Sequence, residues 1–236
     1  MFDAMLLIVM GIVTWCVASD GAHSAAITAV VTVLSGLVAM NLFEPLAGLL
    51  QGIVGYAYAT HVDVVALVGL FIGAVFALRA VFEKVSPVYV ETDGLAYEIG
   101  RWGFGLLTGY VTMAFLLTSL HTAPLPREFM GFQAERANLF ETLAPDRQWL
   151  GFTQWVSEKS FVNGSMPRVF DAPHKDFIDD PNNATRNMYW PSFPIRYAHR
   201  REQFAGGGLA TGPTAPTQQA APVRRNNGGG SGAAGF

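Results

Sequence analysis

Four long apolar stretches occupy the first 121 residues, and charge hardly interrupts them. They read Phe2–Ser19, Ser24–Phe43, Val62–Phe82 and Ile99–His121. Crossing a bilayer core of about 30 Å takes roughly 20 mostly apolar residues in a helix. In lipid every backbone N–H and C=O must pair within its own segment, so runs of this length are helical. The expected fold class is therefore an all-α membrane protein with about four transmembrane helices.

The charge distribution divides the chain in two. Residues 1–121 hold three basic side chains (Arg79, Lys84, Arg101) and eight acidic ones, whereas the rest holds twelve basic and ten acidic. A membrane half, 1–121, is followed by a polar tail, 122–204, and by a low-complexity end, 205–236. The net charge of −3 lacks the basic face that nucleic acid requires. Asp3 is acidic and no Lys or Arg precedes Arg79, so the first run reads as a retained helix rather than a cleaved leader. The single Cys16 lies inside that run and reads as a small apolar side chain.

Ser19-Asp20-Gly21 carries turn chemistry between the first two segments. Pro45 lacks an N–H donor and is expected to end the second. Ala47–Thr60 is apolar but too short to span. It reads as a short interfacial or re-entrant helix, or as an extension of segment 2 bent at Pro45. Arg79 and Glu83 are four apart and share a helix face.

Small residues recur every four positions: Gly48 and Gly52, Gly69 and Gly73 with Ala77, Gly105 and Gly109, and Ala25 and Ala29 with Ser35 and Ala39. Such faces let helix backbones approach closely, so the glycines are the candidate helix-packing residues. Asn41, Thr28, Thr32, Thr108 and Thr112 are candidates for bonds between helices. The ionisable groups Asp3, Asp20, Glu44, Asp63 and Glu98 sit at segment ends, where with Arg79 and Arg101 they anchor the interface.

Beyond Thr122, Phe129–Glu141 alternates polar and apolar residues and is expected to be helical. Asp146–Phe161 reads as amphipathic, with Trp149, Leu150, Phe152, Trp155, Val156 and Ser160 on one face, suited to the membrane surface, the bundle or a soluble partner's groove, and Asp146 as a cap after Pro145. Residues 163–197 read as extended over another surface or partly disordered, and 205–236 as disordered.

Chemistry is sparse. The segment from Asp171 through His174 and Asp176 to Asp180 holds one imidazole and several carboxylates in no metal-ligand spacing, and reads as a solvated acidic loop. There is no phosphate loop, nucleophile motif or paired-His zinc motif, so no catalytic, cofactor or metal residues are assigned. Asn163-Gly-Ser165 and Asn183-Ala-Thr185 match the glycosylation triplet.

Asp3 just before the first segment, and Glu98-Ile-Gly100-Arg101-Trp-Gly103-Phe-Gly105-Leu-Leu-Thr-Gly109 at the head of the fourth, resemble the colicin V production protein family of bacterial inner-membrane proteins. An amphipathic stretch between segments 2 and 3, here Leu46–Thr60, is a further point of likeness. The resemblance covers residues 1–121. The basic turn usual after the family's first segment is replaced here by Ser19-Asp-Gly-Ala-His23. The resemblance implies a non-enzymatic scaffold or accessory factor in toxin production, export or envelope homeostasis. Its partners would be the lipid bilayer and a second copy or another membrane protein. The alternative expectation is a small oligomeric transporter or channel.

Overall fold

The computed structural model describes residues 2–54, 59–85, 94–126, 128–133, 137–160, 193, 194 and 197. It is built from helices α1 (Phe2–Ser19), α2 (Ala22–Val54), α3 (Ala59–Val85), α4 (Leu95–Thr122) and α5 (Pro145–Ser160). A two-residue ribbon, β1 (Glu128–Phe129) with β2 (Phe132–Gln133), lies between α4 and α5. The first four helices are long and apolar enough to cross a membrane.

α4 is the hub. It packs along α1 on one side and along α2 on the other, and α3 lies mainly against α2. α1 and α2, though joined by a tight turn at Gly21 (φ 91°), hardly touch. The buried positions of α1 are Phe2, Leu6, Thr14, Val17 and Ala18, a stripe at helical spacing. Ile8, Ile12, Trp15 and Cys16 of α1 are exposed, whereas Met10 packs partly buried beside this stripe.

Four helix ends meet on one side of the bundle. Arg79 near the end of α3 bonds Asp20 (3.1 Å), Glu83 (3.1 Å) and the Thr28 hydroxyl (3.5 Å). Arg101 pairs with Glu98 (2.8 Å) and lies over the Trp102 and Tyr97 rings at 5.4 and 5.6 Å. Trp15 tilts against Trp102 at 5.9 Å. Aromatic rings beside paired charges match the headgroup zone of a bilayer.

Two expectations are corrected. Pro45 does not end the second helix, and Ala47–Thr60 does not start as a separate short helix: α2 continues through Pro45 to Val54. Proline in a helix interior removes one N–H, and apolar helices tolerate that loss where neighbouring groups satisfy the freed carbonyl. Nor is Phe129–Glu141 helical. Met130 (φ 52°) and Gly131 (φ 103°) both take positive φ, the backbone of a type I′ hairpin, so the chain reverses there. It reverses again at Phe140 (φ 53°) and Glu141 (φ 57°), where Leu139 and Leu143 bridge.

Thr28 takes up the inter-helix role expected of the polar residues by accepting from Arg79 of α3 at 3.5 Å. The hydroxyls of Thr28, Thr32 and Thr108 donate to Ser24, Thr28 and Phe104 carbonyls of their own helices, and Asn41 donates to Leu37. The Asp171–Asp180 segment, both glycosylation triplets and 205–236 lie outside the described residues.

Candidate functional site

The most distinctive chemistry sits at the end of the bundle away from the Arg79 cluster. His121, in the last turn of α4, brings Nε2 to 2.8 Å from Oδ2 of Asp146 in the first turn of α5. Both side chains are fully shut off from solvent. A carboxylate only accepts, so the imidazole Nε2–H donates. Asn138 Nδ2 donates to the same oxygen at 3.4 Å. Phe132 and Phe193 stand edge-on to the imidazole, at 5.1 and 6.3 Å. Asp146 Oδ1 is buried without a hydrogen-bond partner. The pair fastens α5 to α4. Asp146 thus spends its carboxylate on a distant imidazole rather than on capping its own helix.

Trp149 supplies the second fastening. Its ring lies so close to Gly36 on α2 that a Cβ there would meet the indole Cη2 at 2.7 Å. It stands edge-on to Phe115 at 6.2 Å, and Phe115 stacks on Phe71 at 4.1 Å, which joins α2, α3, α4 and α5 in one core. Phe193 and Tyr197 belong to the same core, Phe193 standing against Phe43 at 6.0 Å.

The candidate packing glycines fall into two groups. Gly105 and Gly109 face α1: a Cβ at Gly105 would stand 2.9 Å from the Thr14 carbonyl oxygen, and one at Gly109 2.6 Å from that of Met10. Glycine is required there for backbone contact. Gly48, Gly52, Gly69 and Gly73 meet nothing within 4 Å and open outward.

The interface charges also differ in role. Asp3 accepts the Phe140 N–H at 2.8 Å, tying the start of α1 to the turn after the ribbon. Arg79 and Arg101 build the charged end described above. Glu44 is half-buried, and Asp63 is buried near the start of α3 with partners of its own. Among the described residues no three His, Cys, Asp or Glu side chains are grouped to hold a metal.

Sequence reasoning placed His121 only as the last residue of segment 4 and gave Asn138 and Gly36 no role. It set Trp149 and Phe152 on one face, whereas Trp149 points into the bundle and Phe152 away from it.

The fold defines a helical bundle with four apolar helices of membrane-crossing length and a docked fifth helix. No family model, curated protein or solved structure matches the chain.

Proposed function

We propose that this chain is a non-enzymatic, multi-pass scaffold of a bacterial inner membrane. It serves as an accessory factor in toxin export or envelope homeostasis, as the resemblance to the colicin V production family implies. The observation that supports this reading is the division of the glycines. Gly105 and Gly109 are consumed inside the bundle, while Gly69 and Gly73 present a smooth, open face on α3. In a bilayer such a face admits another helix at close range. The sealing of His121 and Asp146 into a structural contact also favours a protein that binds over one that turns over a substrate.

The test is the molecular mass of the purified protein in detergent and its co-purifying membrane proteins, for the wild type and for the doubly substituted Gly69→Leu, Gly73→Leu chain. The expected result is a smaller assembly or a lost partner with unchanged thermal stability. An unchanged assembly and unchanged partners would remove the support for a scaffold acting through α3.

A further inference from the structure

α5 has two stripes. Pro145, Asp146, Trp149, Leu150 and Thr153 are buried at helical spacing and face the bundle. Phe152 and Trp155 form a second stripe that points away, 38% and 59% exposed. A helix lying in water presents polar groups on its free side. Both of these are large aromatics.

The depth at which α5 is held explains them. The charged and aromatic end of the bundle fixes one membrane boundary near Arg101 and Trp102 on α4. At about 1.5 Å per residue, a hydrocarbon layer of about 30 Å extends some 20 residues from there, to the neighbourhood of His121. Phe115 then lies about 9 Å inside that boundary, and Tyr110 about 16 Å inside it. α5 reaches both. Trp149 packs on Phe115, and Gln148 Oε1 accepts the hydroxyl of Tyr110. Gly36, under the Trp149 ring, lies fourteen residues into α2 from Ala22, about 21 Å along its axis and likewise far from either end of the span. The first two turns of α5 therefore sit within the thickness of the apolar layer. Phe152, 5.7 Å from Trp149, continues outward from the same place.

We propose that α5 is a re-entrant membrane helix, and that the Phe152–Trp155 stripe docks into the lipid of the leaflet on the His121 side. The occupant is lipid because the stripe continues the outward belt of the spanning helices. The inference rests on the membrane placement of α1 to α4 and is independent of the scaffold reading.

The test uses the full chain in phosphatidylethanolamine–phosphatidylglycerol vesicles. A nitroxide is attached to a single cysteine at Phe152→Cys, Trp155→Cys or Phe76→Cys, each in a Cys16→Ser background. Phe76 is 71% exposed in mid-α3 and serves as the lipid reference. Collision with oxygen, which partitions into lipid, is compared with collision with a water-soluble nickel chelate. The expected result is an oxygen-to-nickel ratio at 152 and 155 as high as at 76. Nickel dominance at 152 and 155 with oxygen dominance at 76 would place α5 in water and overturn the proposal alone. Low access to both reagents with dipolar broadening would put a second copy on the stripe and equally overturn it. Nickel dominance at all three would overturn the membrane placement as well. If one of the two α5 variants fails to fold, the other carries the test.

Discussion

His121 Nε2 and Asp146 Oδ2 stand 2.8 Å apart across 25 residues of sequence, and neither side chain reaches solvent. Removing one partner deprives the other of its shortest polar contact. A buried pair broken from one side costs about 3–5 kcal/mol, whereas replacing both partners by apolar groups is far milder. His121→Leu and Asp146→Leu should each destabilise the folded protein strongly, and the double replacement should recover much of the loss. Denaturation in micelles, followed by tryptophan fluorescence, measures this. Additive losses would mean that the contact contributes no coupling.

The Gly36–Trp149 contact predicts a steric rescue. Gly36→Leu should expel the indole, and Trp149→Ala should leave a cavity costing about 3–5 kcal/mol. Combined, the leucine enters the space that the indole vacates, so the double variant should be more stable than the sum of the two losses predicts. Thermal unfolding of the three variants decides it.

Gly109 and Gly73 look alike in sequence and should behave oppositely. A Cβ at Gly109 presses on the Met10 carbonyl oxygen, a backbone atom that cannot swing aside. Gly109→Ala should cost about 1–3 kcal/mol through overpacking. Gly73→Ala meets open space and should leave monomer stability within about 0.5 kcal/mol. Equal effects at the two positions would contradict the assignment of their faces.

Asp3 holds the Phe140 N–H at the tightest point of the second tail turn. Asp3→Ala should weaken the turn by about 1 kcal/mol, and Asp3→Asn, which keeps a carbonyl acceptor, should preserve most of the bond. The rate of limited proteolysis between Leu139 and Leu143 reports it: faster cleavage in the alanine variant, near wild-type in the asparagine variant.

What was legible in the sequence is what a bilayer imposes. The length of each apolar run fixed the four long helices, and Gly21 marked the first turn because its backbone needs positive φ. Pro45 misled because the loss of one N–H does not break a helix held by its neighbours. The reversal at Met130 and Gly131 reads as helix in the sequence, because nothing in the side chain of Met130 announces positive φ. Spacing of four showed that a helix face was smooth without showing which way it turned. Gly105 and Gly69 therefore read the same and lie in opposite surroundings. The contact between His121 and Asp146 has no periodic signature, and the small gap at Gly36 acquires meaning only once Trp149 is seen above it.

The pairing of α1 with α4 rather than with α2 sets a timetable for biogenesis. Met10 and Gly109 are 99 positions apart (109 − 10), so at about 5–20 residues per second the ribosome needs roughly 5–20 s to supply the partner of the first helix. During that wait α1 sits in the bilayer with its Thr14 hydroxyl and its Leu6 and Val17 side chains facing lipid or an insertion factor. The bundle closes late, when its fourth helix arrives and draws the first one in.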